Sequence, residues 1–149
     1  MARYKGAVSQ INQERDKMVH TLYKKAKGMV QWPTRIATIC ELVAMMPTPK
    51  FFISFDTAVV YIRRRYYYGT HISFLSKHKQ LLYDALYARF KELRDNISYK
   101  NKSLPGLVLM ALESQAPCIG ISPYLIYEII LNHKKNAREQ LKSHLKRKP

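Results

Sequence analysis

Apolar residues recur every three or four positions along most of the chain, which is the spacing of amphipathic α-helices. Three helices are predicted in the first half, over about residues 9–27, 33–46 and 54–69. Three more are predicted in the second half, over about residues 77–97, 103–114 and 122–145. Apart from a short piece at residues 50–53, no run alternates at the period of a β-strand. The pattern therefore predicts a mainly α protein, a single-domain bundle of about five to six helices.

Capping residues and prolines mark most of the predicted helix ends. Pro47 and Pro49 stop the second helix, because neither can continue it. Ser54 and Ser122 are predicted N-caps, and Gly69 is placed to end the third helix. Residues 1–8 and about 146–149 are predicted to be basic, partly flexible ends of a domain spanning residues 1–149. The sequence shows no internal repeat and no linker that would divide it.

The predicted helix ending at Gly69 combines an apolar stripe with a basic, aromatic face. At about 100° per residue, the face opposite the stripe is centred on Arg64. The stripe predicted to enter the core contains Phe55, Ala58, Val59, Ile62 and Tyr66. The outward candidates are Tyr61, Arg64, Tyr67 and Tyr68, and Arg63 and Arg65 lie at the two boundaries of that face. All six are predicted to contact nucleic acid. Guanidinium groups framed by aromatic rings suit phosphate contact and base stacking; the alternative is that these arginines only keep an exposed helix face hydrated.

The net charge changes the weight of these two interpretations. The chain has 26 Lys and Arg against 10 Asp and Glu, which gives +16 and a pI near 10. Self-repulsion of that size favours a polyanionic partner. Nucleic acid is the commonest such partner, and an anionic membrane surface is the second. Composition does not choose between DNA and RNA.

Two further groups of basic residues support a nucleic-acid partner. The first follows Asn132, where the chain becomes strongly cationic. It comprises Lys134, Lys135, Arg138, Lys142, Lys146, Arg147 and Lys148. The second is a weaker basic-aromatic surface on the predicted helix 77–97, where Tyr83 and Tyr87 lie one turn apart; the alternative is that this tyrosine pair packs against a neighbouring helix. Lys79, Lys91 and Arg94 are near them on that helix.

Residues 112–129 have the spacing of a helix-turn-helix at Ala116, Gly120, Ile126 and Ile129. Pro117 departs from that pattern, because the first helix should still be running there. The supposed recognition helix also has little Arg, Asn or Gln for reading base edges. A plain helical hairpin is the favoured interpretation.

Signals for enzymatic chemistry are absent from the sequence. There is no glycine-rich phosphate loop, no Cys-x-x-Cys and no Gly-x-Ser-x-Gly, and the five histidines are scattered. Asp84 and Glu92 could share a helix face in a metal-dependent nuclease, but no second acidic cluster supports that alternative. We therefore predict no enzymatic activity, no cofactor and no metal site.

Cysteine usage and hydropathy indicate the compartment. Cys40 and Cys118 lie among apolar residues and are predicted to be buried free thiols. No signal peptide and no apolar run of transmembrane length is recognisable, so a cytoplasmic protein without a membrane span is expected. The segment 104–112 is apolar nearly all round, which is typical of a helix buried at the centre or in a subunit interface.

The segment Pro47–Ser54, followed by Ala58, resembles a short Pro-x-Phe/Tyr-aromatic-Val/Ile-Ser pattern. That pattern occurs in uncharacterised proteins of bacterial mobile elements and phages. In size, helicity and charge, the chain is also similar to the basic accessory subunits of diversity-generating retroelement reverse transcriptases. That second resemblance implies an oligomeric helical bundle that binds a polymerase and its RNA.

These observations lead to one predicted function and one alternative. The predicted function is a non-catalytic nucleic-acid-binding accessory protein of a phage or mobile element. It would bind phosphates through Lys and Arg and stack bases on Tyr. The alternative is an oligomeric protein-interaction or assembly subunit, for example of a reverse transcriptase–RNA complex. Its basic face would then meet an acidic protein or a polymerase, and the segment 104–112 would form the contact between copies.

Overall fold

The computed structural model describes residues 2–31 and 33–146, with side chains described at positions 9–31, 33–133, 138, 139 and 141. Within that range the protein is a single all-α domain, as predicted from the sequence. Six α-helices are present: α1 (Ala2–Met29), α2 (Ile36–Ala44), α3 (Phe55–Tyr68), α4 (Lys77–Asp95), α5 (Leu104–Leu112) and α6 (Pro123–Lys146). A short 3₁₀ helix (Ile97–Tyr99) follows α4. None of the described helices is long and apolar enough to cross a lipid bilayer.

The observed helix bounds differ from the predicted ones mainly in the first two helices. Helix α1 begins at Ala2, so residues 2–8 continue the helix that was predicted to start near residue 9. Helix α2 begins only at Ile36, because Arg35 has an extended backbone (φ −64°, ψ 140°). At the other end, α6 runs to Lys146, and residues 147–149 lie outside the described part of the chain.

A three-helix unit occurs twice along the chain, which corrects the prediction that there is no internal repeat. Helices α2 and α5 are both nine residues long and start 68 positions apart (104 minus 36). Each is followed by a connection of equal length, residues 45–54 or 113–122, before the third helix begins. The units α1–α2–α3 and α4–α5–α6 are therefore two copies of one arrangement.

The N-cap hydrogen bonds at the ends of the two connections also correspond. Ser54 Oγ accepts the N–H of Thr57 at 3.4 Å, and its counterpart Ser122 Oγ accepts the N–H of Leu125 at 3.3 Å. Both bonds cap the first turn of the helix that follows. The segment Pro47–Ser54 thus ends at a helix cap that the second unit repeats.

The last helix of each unit packs against the first two helices of the other unit. Helix α3 packs on α5 and meets side chains of α4, whereas α6 packs on α2 and α1. Two hydrophobic clusters result, one shared by α3, α4 and α5 and the other by α1, α2 and α6. Between the units, Thr48 and its counterpart Ala116 each donate their backbone N–H to the other's carbonyl oxygen, at 3.0 and 2.9 Å. Because equivalent residues pair with each other, this bridge joins the two units where they cross.

Residues 112–129 form neither a helix-turn-helix nor a helical hairpin. A helix-turn-helix joins its helices by a turn of about three to four residues, whereas residues 113–122 separate α5 from α6. Ala116 lies in the bridge to Thr48 and not in a helix. The two helices also pack in different hydrophobic clusters. Residues 113–122 instead carry the chain from the first hydrophobic cluster to the second, so the match to helix-turn-helix spacing is coincidental.

Helix α5 is buried inside the first cluster, as its all-round apolar character indicated. The buried side chains are those of Leu104, Leu107, Val108, Ala111 and Leu112. Leu109 is the exception and is about half exposed. The apolar surface of α5 is therefore covered mostly within the chain, by α3 and α4.

Candidate nucleic-acid interface

Helix α3 has the two ends predicted from the sequence. Ser54 is its N-cap, and Asp56 lies in the first turn, where the helix dipole stabilises a carboxylate. Gly69 ends the helix in the left-handed conformation (φ 62°), and its N–H bonds to the carbonyl oxygens of Arg64 and Arg65. These caps fix which residues form the last three turns of α3, where the candidate site lies.

Two of the residues predicted to contact nucleic acid are turned inward instead. Tyr61 is only 4% exposed and packs edge-on against Tyr83, with ring centroids 4.9 Å apart. Arg65 donates to Tyr61 Oη at 2.8 Å and to Asp84 Oδ1 at 2.9 Å. Its guanidinium also lies 4.1 Å from the ring centroid of Tyr87. Tyr61 and Arg65 therefore hold α3 against α4 and are not available to a ligand.

The pKa values of this pair follow from the same contacts. Burial raises the pKa of Tyr61, and the hydrogen bond from Arg65 only partly opposes that shift. For Arg65, burial acts to lower the pKa, but the hydrogen bonds to Tyr61 and Asp84 outweigh it and raise the pKa. Tyr61 is consequently neutral and Arg65 charged at physiological pH, which is the pairing that their hydrogen bond requires.

The prediction failed here because α3 is covered by two helices and not by one. Ala58 and Ile62 of the predicted stripe are fully buried, while Phe55 is 41% exposed. Covering α3 with both α5 and α4 widens the buried arc toward Tyr61 and Arg65 and shifts it away from Phe55. A prediction from one apolar stripe assumes one covering helix, so it could not anticipate the contact with α4.

The remaining predicted residues of α3 do lie on the surface. Arg63 and Arg64 are exposed, and Tyr67 and Tyr68 are 59% and 78% exposed. Tyr66 lies between core and surface, with its ring edge-on to Phe90 at 5.4 Å. Its other neighbour is the ring of Tyr67, at 5.2 Å. Arg63 and Arg64, which form no ion pair with any described residue, thus lie on the same helix as a row of aromatic rings.

Helix α4 adds two cations to the same place. Lys91 Nζ lies 5.4 Å from the ring centroid of Tyr66, and Arg94 Cζ lies 5.8 Å from it. Arg94 Nε also contacts Tyr66 Oη at 3.4 Å. We call this combined feature the α3/α4 surface. It consists of Arg63, Arg64, Tyr66, Tyr67, Tyr68, Lys91 and Arg94.

The second basic-aromatic surface predicted on α4 does not exist as a separate feature. Tyr83 is buried and Tyr87 lies under the guanidinium of Arg65. Lys79 is near Phe74 and Tyr83, with its Nζ 4.8 Å from the Phe74 ring centroid. Lys91 and Arg94 instead join α3. No sequence signal could show this, because the residues come from helices whose packing is set by the tertiary fold.

The basic residues after Asn132 lie on or beyond the second half of α6. Lys134, Lys135, Lys142 and Lys146 belong to the helix, and Arg138 is exposed on it. Arg147 and Lys148 lie outside the described residues. Because α6 packs on α1 and α2, this basic segment is not part of the α3/α4 surface.

Acidic and metal-ligating residues do not assemble in the described part of the protein. Asp84 is engaged by Arg65 and by Gln80, and Glu92 pairs with Arg89 at 2.9 Å. Among the described residues, no group of three His, Cys, Asp or Glu is arranged to hold a metal ion. Cys40 and Cys118 are buried free thiols, as predicted, and burial raises the pKa of both.

Comparison of the chain with protein-family models, with curated proteins and with solved structures found no match. The functional argument therefore rests on the residues themselves. They define an all-α protein with a repeated three-helix unit and a cationic, aromatic surface on one pair of helices.

Proposed function

We propose that this protein is a non-catalytic nucleic-acid-binding protein that uses the α3/α4 surface. Phosphates would be contacted by Arg63, Arg64, Lys91 and Arg94, and unpaired bases would stack on Tyr67 and Tyr68. The resemblance of the Pro47–Ser54 segment supports an accessory role in a phage or mobile element. The net charge of +16 supports a polyanionic partner.

The observation that carries the proposal is the contrast between three consecutive arginines. Arg65 is engaged by Asp84 and Tyr61. Arg63 and Arg64 are exposed, and none of the ion pairs among the described residues involves them. Stability of the fold does not account for these two guanidinium groups. Exposed rings beside them supply the stacking platform that a single-stranded nucleic acid uses.

The salt dependence of binding tests the proposal directly. A fluorescent 20-nucleotide oligo-dT is titrated with the protein at several salt concentrations. Each phosphate contact on a single strand contributes about −0.7 to the slope of log K against log salt. Removing two contacts by Arg63→Ala/Arg64→Ala should make the slope shallower by about 1.4. In the same titration, Tyr67→Ala/Tyr68→Ala should weaken binding without changing the slope, because stacking releases no counterions.

The matched control is Lys17→Ala/Lys77→Ala, which removes the same charge from two exposed positions outside the α3/α4 surface. This control should leave the slope within about 0.3 of the wild-type value, since distant charges are screened beyond roughly 10 Å at 0.1 M salt. If both double variants change the slope equally, binding follows net charge and not the α3/α4 surface, and the proposal is wrong.

The alternative, an oligomeric assembly subunit, was motivated by the apolar segment 104–112. Most of that apolar surface is covered by α3 and α4 within the same chain. Nucleic-acid binding is therefore the function that we favour. Light scattering of nuclease-treated protein should give the mass of one 17.5 kDa chain. A stable oligomer without nucleic acid would favour the assembly function instead.

A further inference from the structure

The repeat assigns a counterpart to the α3/α4 surface in the other half of the molecule. Helix α6 is the counterpart of α3, and α1 is the counterpart of α4. We infer that the C-terminal halves of α1 and α6 form a second nucleic-acid site, so that one chain holds two nucleic-acid segments at once. This inference rests on the proposed function of the α3/α4 surface.

Exposed cations lie on both helices of the second site. Lys24, Lys25 and Lys27 are exposed in the last turns of α1, and Arg138 is exposed on α6. The two helices touch where the rings of His20 and His133 lie 4.4 Å apart, one to two turns before these cations. We call Lys24, Lys25, Lys27 and Arg138 the α1/α6 surface. None of the ion pairs among the described residues involves Lys24, Lys25, Lys27 or Arg138.

The chemistry of the α1/α6 surface indicates the kind of nucleic acid that it takes. The positions of Tyr66, Tyr67 and Tyr68 in α3 correspond to Lys134, Lys135 and Asn136 in α6. Helix α3 ends at Gly69, whereas α6 continues from the equivalent position to Lys146, which adds about 14 Å of helix at 1.5 Å per residue. A longer helix without the tyrosine triplet, next to the exposed cations of α1, fits the phosphate backbone of a duplex and needs no exposed bases. We therefore assign it to double-stranded nucleic acid.

The packing of α3 and α6 separates the two surfaces. Both helices begin at the same cleft, which is lined by Ser54 and Thr57 from α3 and by Ser122 and Leu125 near the start of α6. From there α3 continues into the hydrophobic cluster with α4 and α5, and α6 into the cluster with α1 and α2. The two surfaces therefore depend on different cores. Occupying one of them leaves the other accessible, and the excess of 16 positive charges is enough for two polyanions.

A bridging assay with the full chain tests this inference. A biotinylated 20-base-pair DNA duplex is immobilised, saturated with protein and washed, and a fluorescent 20-nucleotide oligo-dT is then added. The wild-type protein should capture the oligo-dT on the duplex. Arg63→Ala/Arg64→Ala should reduce oligo-dT capture roughly tenfold while duplex binding persists. Lys24→Ala/Lys25→Ala/Lys27→Ala should do the reverse and weaken duplex binding roughly tenfold. Both variants change exposed side chains, and circular dichroism checks that they remain helical.

Each other outcome has a distinct meaning. If the duplex and the oligo-dT bind tightly but exclude each other, there is one site and the inference is wrong. A dimer with one site per chain would also bridge the probes, but then a single variant would lose both, which likewise overturns the inference. If neither probe binds, the proposed function itself fails. Lys17→Ala/Lys77→Ala, which changes neither surface, should behave like the wild type.

Discussion

The contact between α3 and α4 and the contact between α1 and α6 occupy equivalent places in the repeat but use different chemistry. Arg65 in α3 corresponds to His133 in α6, because the connections before the two helices are equally long. Arg65 donates to Asp84 at 2.9 Å, whereas His133 places its ring 4.4 Å from that of His20. A guanidinium stays charged at every physiological pH, while an imidazole titrates within that range. We therefore expect stability to depend on pH through His20 at the second contact and not through Arg65 at the first.

The comparison also shows which features of the unit the two halves share. Ala58 and Ile62 are buried in α3, and their counterparts Ile126 and Ile130 are buried in α6. The N-capping serines are shared as well. Surface positions differ in residue type, since Tyr-Tyr-Tyr at residues 66–68 of α3 corresponds to Lys-Lys-Asn at residues 134–136 of α6. The fold of the unit thus depends on its core and its connection, and its outer face can carry different ligands.

The largest effect is expected at Gly120, where the two connections differ most. Its counterpart Phe52 is buried, whereas a Cβ at Gly120 would lie 2.3 Å from Leu82 Cδ2, and the backbone has φ 84°. Gly120→Ala should lower the free energy of unfolding by about 3 kcal/mol, from backbone strain and overpacking together. Urea denaturation measures this change.

Gly69→Ala is the matched control for Gly120→Ala. It has a similar positive φ of 62°, but nothing lies within 4 Å of the added Cβ. The expected loss is about 1–2 kcal/mol, from backbone strain alone. Equal losses at the two glycines would mean that Leu82 moves aside freely, and that the close approach does not constrain the connection.

The next effect concerns the contact between α3 and α4. Arg65→Ala removes hydrogen bonds to Asp84 and Tyr61 and should lower the free energy of unfolding by about 2 kcal/mol. Arg64→Ala removes an exposed side chain of the same type and should change it by less than about 0.5 kcal/mol. Urea denaturation at neutral pH compares the two variants. A loss of the same size for Arg64→Ala would contradict the assignment of Arg65 as the arginine that holds α3 to α4.

Local features of the fold could be predicted from the sequence. Ser54 and Gly69 define α3 because capping depends on a few neighbouring residues. The repeat could not be recognised, since its connections share few identical residues, among them Pro49 with Pro117 and Ser54 with Ser122. Buried positions such as Ile39 and Leu107 correspond only in being apolar. Apolar character every three or four residues is common to all amphipathic helices, so it does not reveal a repeat.

The candidate site was predictable only as far as one helix determines it. Arg63, Arg64, Tyr67 and Tyr68 lie on the surface because the helix period alone places them opposite the core. The inward positions of Tyr61 and Arg65 depend on α4, which is distant in sequence. Lys91 and Arg94 reach Tyr66 for the same reason. Contacts between helices are set by packing, which a single-helix pattern does not contain.

The smallest effect is expected from pH at the contact between α1 and α6. Burial lowers the pKa of His20 from 6.5, His133 and Lys24 lower it further, and Asp16 partly opposes them. As pH falls through 6.5, His20 in the unfolded chain therefore binds a proton before His20 in the folded protein does. The free energy of unfolding decreases until the pH reaches the lower pKa of His20 in the folded protein. The wild type should lose stability between about pH 7.5 and 5.5, and His20→Asn should lose less, by urea denaturation at both pH values. His71→Asn, which changes an exposed histidine in the loop before α4, should keep the wild-type pH dependence. If His20→Asn and the wild type lose the same amount, the titrating group lies elsewhere and the two contacts do not differ in pH sensitivity.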